Sequence, residues 1–192
     1  MGLNRRAAVA ALLKDRGALL VVSGLGSPTY DVHAAGDTEA NYYLWGAMGS
    51  AALIGLGLAQ AQPDRNMLVI TGDGEQLMGL GGLATIAVAR PKNLSVAVID
   101  NGHFGETGMQ TSHTGRGLDL AAVASACGFS ETAAVKDMAG VEELRRRLHR
   151  RAEGPRLFVL KVEPENPPRS LPPRDAVFPK NRFRAHLGLP VT

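Results

Sequence analysis

Short, predominantly apolar runs set the limits on what this chain can become. The clearest are Ala18 to Val22, Asn66 to Thr71, Leu94 to Ile99 and Leu157 to Val162, with Glu131 to Val135 a weaker fifth. Each is five or six residues long, which suits a strand and is too short for a buried helix. Between them lie stretches of helical length: Arg5 to Lys14, Met48 to Ala61, Leu80 to Ala89, a run capped by Asp119 and ended by Gly128, and Met138 to Arg151. Strands apolar on both faces need cover on both. The expected fold class is therefore α/β, a three-layer αβα parallel sheet. Residues 23–40 and 100–117 read as loops.

At 192 residues the chain holds one domain, placed at 1–163. From Pro164 onward proline and arginine are frequent and no period is visible, so 164–192 reads as an extended C-terminal arm. The net charge of +3 comes from residues late in the chain, and Arg145 to Arg147 with Arg150-Arg151 end a helix where positive charge suits the dipole. No nucleic-acid partner is expected. Cys127 is the single cysteine, which excludes an internal disulfide and a cysteine metal cluster and favours a cytoplasmic setting. Arg5-Arg6 resembles a twin-arginine signal, but Lys14 and Asp15 cut the apolar run short, so an amphipathic first helix is the better reading. Ala40 to Pro63 carries no charge, yet its small residues with Asn41, Gln60 and Gln62 fit a buried helix and no membrane span.

In an open parallel sheet, ligands bind beyond the carboxyl ends of the strands. Three strand ends carry unusual residues: Ser23 to Ser27, Gly72-Asp73-Gly74-Glu75 and Asp100-Asn101-Gly102-His103. The first is a poor dinucleotide fingerprint, because Thr29 replaces its third glycine and Pro28 and Asp31 stand where a helix should begin. No phosphate-loop Gly-Lys-Ser/Thr occurs. The other two are more specific. Asp73 and Asn101 each follow a buried strand and provide a carboxylate and an amide oxygen, the hard donors that Mg²⁺ prefers. The flanking glycines let backbone amides approach phosphate oxygens, and a helix starting after Gly74 would add its positive end.

Gly72-Asp73-Gly74 followed at this spacing by Asp100-Asn101 resembles the motif of enzymes that use thiamine diphosphate. The resemblance implies the thiamine-diphosphate-binding fold, in its pyrophosphate-binding module. It implies Asp73, Asn101 and the His103 carbonyl as Mg²⁺ ligands. Asn41 to Gly49 looks like the segment that grips the middle of the cofactor, with the Gly46 carbonyl taking the 4′-amino group and Met48 wedged between the two rings. Residues 100–111, 118–121 and 126–129 look most like sulfopyruvate decarboxylase β subunits and phosphonopyruvate decarboxylase. Ser27, Glu75, Phe104 and Gly105 complete the expected cofactor contacts. Met109 and Ser112-His113-Thr114 depart from the family pattern.

The family also implies a partner. The bent cofactor acts as its own base once a glutamate on a separate pyrimidine-binding domain protonates its ring, and this chain is too short for both domains. An α subunit carrying that domain and glutamate is expected, in a hetero-oligomer of α₂β₂ form or a multiple. The expected reaction is decarboxylation of a small, anionic 3-substituted 2-oxo acid. His103, Glu106, Thr107, Gln110 and His113 are the candidates to meet substrate and relay protons. The alternatives are an acetolactate-synthase-like carboligase, a 2-oxo-acid oxidoreductase β subunit, and a cofactor-binding scaffold without activity.

Overall fold

The computed structural model describes residues 2–191, so the outermost residues of the expected domain and arm, Met1 and Thr192, lie outside it. The elements in chain order are α1 (Arg5–Leu13), β1 (Leu20–Ser23), α2 (Ser27–Ala34), β2 (Asn41–Tyr43), α3 (Ala51–Ala61), β3 (Met67–Gly72), α4 (Asp73–Met78), α5 (Gly82–Ala89), β4 (Leu94–Asp100), β5 (His103–Phe104), β6 (Gln110–Thr111), α6 (Leu120–Cys127), β7 (Glu131–Val135), α7 (Met138–Leu148), β8 (Arg156–Lys161) and α8 (Val177–His186). Six strands form one parallel sheet in the order β2-β1-β3-β4-β8-β7.

Alternate strand residues bury against opposite layers, as the pleat requires. Val22, Val69, Val96, Val98 and Val159 face α3, α5 and α6. Val21, Leu68, Ile70, Ala97 and Leu160 face α1, α2 and α7. The three-layer αβα expectation is met. After β1 the chain turns outward to β2, and then returns to lay β3 on the other side of β1. The helix following β1 lies in one layer and the helices following β3 in the other. Their loops part at the sheet's carboxyl edge, and that divergence opens a crevice between β1 and β3.

Several local expectations are corrected. Residues 23–40 contain a helix, α2, and Pro28 sits in its first turn, where a missing amide hydrogen costs nothing. Residues 41–43 form an edge strand ahead of α3, which begins at Ala51 and not Met48. The helix expected over 80–89 is α5, over 82–89, and a separate short helix, α4, precedes it and starts at Asp73 itself. Residues 100–117 fold into a small antiparallel hairpin with 3₁₀ turns, ordered by pairing of His103 with Thr111 and Phe104 with Gln110.

The arm is extended as far as Ala176 and then forms α8. Phe183 is buried in the core beside Tyr42, with ring centroids 5.6 Å apart, and Arg182 holds Asp37 through bonds of 2.7 and 2.9 Å. Along the way the Arg6 guanidinium donates to the Pro168 carbonyl and Trp45 Nε1 donates to the Pro173 carbonyl. The arm is thus part of the packed structure and covers the edge strand β2. Phe183→Ala is expected to cost about 3–5 kcal/mol of stability, as for other buried aromatic truncations, seen as a lower urea midpoint with an unchanged slope.

Candidate functional site

A cleft of about 190 Å³ opens at the carboxyl edge, over the crevice between β1 and β3. It is bordered by Leu25, Ser27 and Pro28 after β1, by Gly72 to Glu75 after β3, and by Asn101 and His103 to Thr107 after β4. Met48 and Arg5 also border it. Of the expected site residues, Ser27, Met48, Gly72, Asp73, Gly74, Glu75, Asn101, His103, Phe104, Gly105, Glu106 and Thr107 are brought together here. Gly46, Gln110 and His113 are not. Gly46 and His113 are exposed, and Gln110 turns back to Thr107, donating to its carbonyl at 2.9 Å.

Strand register explains how the acidic groups meet. Gly72 pairs with Ile99, so the next residues, Asp73 just past β3 and Asp100 at the end of β4, stand side by side. Asp100 pairs in turn with Lys161 on β8, whose ammonium contacts its carboxylate. Thr114 Oγ1 stands between the carboxylates, 3.0 Å from Asp73 and 2.7 Å from Asp100, and the Ser112 hydroxyl donates to Asp73. Asp73 is 2% exposed, and among the described residues no cationic side chain pairs with it. Burial pushes its carboxyl above the usual range, Asp100 adds repulsion, and the hydrogen bonds from Ser112 and Thr114 act the other way. A buried carboxylate facing a cleft without a counter-charge is a place for a cation.

The donors around it are hard oxygens. Asn101 Oδ1 accepts the His103 amide at 3.0 Å and keeps a second lone pair. No group of three His, Cys, Asp or Glu side chains suited to a metal occurs among the described residues. The set present is therefore a carboxylate, an amide and main-chain carbonyls, which fits Mg²⁺ better than zinc. Two glycines are required by space. A Cβ on Gly24 would stand 1.8 Å from the Glu75 carboxylate, and one on Gly74 would stand 2.6 Å from the Phe104 ring. Glu75 ties the loops together: its Oε2 accepts the Leu25 amide and the Thr71 hydroxyl, each at 2.9 Å, and burial holds its carboxyl above the usual range. Ala47, at φ 57°, is a non-glycine residue in left-handed backbone immediately before Met48, and such strain is concentrated at functional turns.

Residues 26–162 match the family model described as "Thiamine pyrophosphate enzyme, C-terminal TPP binding domain". The chain belongs to this family. Its relatives include the sulfopyruvate decarboxylase subunit beta of Methanocaldococcus jannaschii, 44% identical over 110 residues, which are 57% of this chain and 58% of that protein. Phosphonopyruvate decarboxylase of Streptomyces hygroscopicus is 39% identical over 149 residues, or 77% of this chain and 36% of that protein. The chain thus spans less than two thirds of these relatives' own length. A thiamin diphosphate-dependent enzyme from Mycobacterium smegmatis shares the fold at a TM-score of 0.71 and 21% identity, over 85% of this chain and 32% of that one.

Thiamine diphosphate with Mg²⁺ is accordingly the cofactor pair of this domain, and the cleft's donor set fits it. Sequence reading missed Arg5, Ser112, Thr114 and Lys161. Ser112 and Thr114 stood out only as departures from the family pattern, and Lys161 lay unremarked within the last expected strand. Thr114→Val removes the hydroxyl that orients Asp73. A loss of about 10–100-fold in Mg²⁺ affinity is expected with the fold retained, measured by calorimetric titration in the presence of thiamine diphosphate.

Proposed function

We propose that this chain is the diphosphate- and Mg²⁺-binding subunit of a two-subunit thiamine-diphosphate-dependent decarboxylase acting on a small, anionic 3-substituted 2-oxo acid. The observation that carries the reading is the identity of 44% with a sulfopyruvate decarboxylase subunit beta, over a chain whose cleft assembles Asp73, Asn101 and His103. Sulfopyruvate and phosphonopyruvate, named in the relatives, are both 2-oxo acids with an anionic group at C3.

The division of labour follows from the site. When bound, thiamine diphosphate provides an electron sink for the carboxylate-bearing carbon. Asp73, Asn101 and the His103 carbonyl would hold the metal, and Gly24 and Gly74 leave room for the Glu75 carboxylate and the Phe104 ring that shape the cleft. Met48 borders the cleft beside Gly74, its methyl 3.8 Å from where a Cβ would stand, and is placed to bend the cofactor. His103 Nδ1 lies 2.8 Å from the Asn101 carbonyl, which can only accept, so Nδ1 carries the hydrogen and Nε2 is the atom left to take or give a proton. Glu106 is engaged by Arg169 at 2.9 Å, which leaves His103 the freer candidate for proton transfer.

A partner carrying the pyrimidine-binding domain and the activating glutamate, in an α₂β₂ assembly or a multiple of it, completes the proposal. Relatives named "subunit beta" support it. So does the exposed apolar surface at Met48, Leu53 and Met78, where Met48 borders the cleft. Among the described residues no helix is long and apolar enough to cross a membrane. The purified chain with Mg²⁺ and cofactor is expected to show no turnover, while the chain combined with its partner decarboxylates 3-sulfopyruvate or 3-phosphonopyruvate. Asp73→Ala should abolish Mg²⁺-dependent cofactor retention in that complex. Full decarboxylation by the isolated chain would refute the two-subunit reading.

A further inference from the structure

The cleft has a second chamber of about 240 Å³, walled by the arm at Asn166 to Arg169 and by Tyr30. Arg5, Ser27, Gly105 and Glu106 border both spaces, while Met48 borders only the first. Arg5 therefore stands toward the end of the cleft away from Met48. It is delivered there because Leu3 bridges Val162 beyond the end of β8, which starts α1 at the carboxyl edge of the sheet.

Arg5 is 4% exposed, yet its pairing is incomplete. Its Nε lies 3.0 Å from Asp31 Oδ2, and Arg6 Nε lies 3.2 Å from the other oxygen of the same carboxylate. Two guanidinium groups thus share one carboxylate, a surplus of one positive charge. The Arg5–Asp31 approach is an ion pair without hydrogen-bond alignment, and no Arg5 side-chain nitrogen takes part in the described hydrogen bonds. The other cation at the chamber, Arg169, is committed: it pairs with Glu106 at 2.9 Å and lies over the Tyr30 ring at 5.7 Å. A buried guanidinium with two free nitrogens at a cleft is shaped for a tetrahedral oxyanion.

We propose that Arg5 binds the terminal phosphate of the diphosphate, at the end of the cleft away from Met48. The inference rests on the reading that this cleft takes thiamine diphosphate, for which Met48 would border the ring end and Arg5 the diphosphate end. Asp31 holds the guanidinium by its charge, and Nη1 and Nη2 are left to donate to phosphate oxygens.

The test compares thiamine diphosphate with thiamine monophosphate, in Mg²⁺, by calorimetric titration of the full chain with its partner. Arg5→Lys and the charge-balanced pair Arg5→Met with Asp31→Asn are the variants, and thermal unfolding reports whether each is folded. The double variant should lose about tenfold or more in affinity for the diphosphate and little for the monophosphate, as expected for one charge-assisted contact. Arg5→Lys, which keeps the charge and loses the fork, should fall between, and it carries the test alone if the double variant does not fold. An unchanged ratio of the two affinities in a folded variant overturns the proposal, as does an equal loss for both ligands, which marks Arg5 as shaping the cleft only. A loss confined to 3-sulfopyruvate binding also overturns it, in favour of the substrate's own anion. If the wild-type complex binds no thiamine diphosphate, the reading beneath the proposal fails as well; wild-type binding with unaffected variants removes Arg5 alone.

Discussion

The site depends on the parallel register between β3 and β4. Pairing Gly72 with Ile99 sets Asp73 beside Asp100, so two acidic groups are buried side by side. Two carboxylates so placed repel, and little water reaches them to screen the repulsion. The protein offsets one with Lys161 on the next strand and leaves the other without a cationic side chain among the described residues. Ser112 and Thr114 occupy one oxygen of Asp73 and fix its direction. What remains is an oriented anionic oxygen in a cleft, whose natural complement is a metal ion bound to phosphate oxygens.

The surroundings serve this arrangement by close approach more than by added side chains. Glu75 draws the loops after β1 and β3 together and leaves no room for a side chain on Gly24, while Phe104 does the same at Gly74. The β5–β6 hairpin brings Ser112 and Thr114 back over the strand ends. The N-terminal bridge and the C-terminal arm then close the side nearest Arg5. Segments at the two ends of the chain therefore build one wall of a cleft whose floor comes from its middle.

The layered architecture was legible early, because strands apolar on both faces admit few folds. The loops that meet at the cleft were legible too, since Gly72-Asp73-Gly74 and Asn101 stand out in residue type and in position after a buried strand. Helix α2 was not, because its polar and proline-bearing sequence follows loop statistics and is made helical by packing Val32 into the core. Helix α8 was missed for the same reason, as a weakly periodic segment is anchored by a few contacts, Phe183 in the core foremost. Thr114 and Lys161 lie far along the chain from Asp73, and only the hairpin and the strand register bring the three together.

Sequence by itself determined the parallel α/β class, the strand ends that carry chemistry and the cofactor those ends serve. Each is written in short segments whose apolar pattern or ligand type is independent of the rest of the chain. Tertiary structure alone decided which distant groups complete the site: Lys161 against Asp100, Thr114 between two carboxylates, and Arg5 held by Asp31 at the cleft's far end. Such pairings arise from register and layer packing, and a charge or hydroxyl in a linear sequence has no partner until the sheet supplies one.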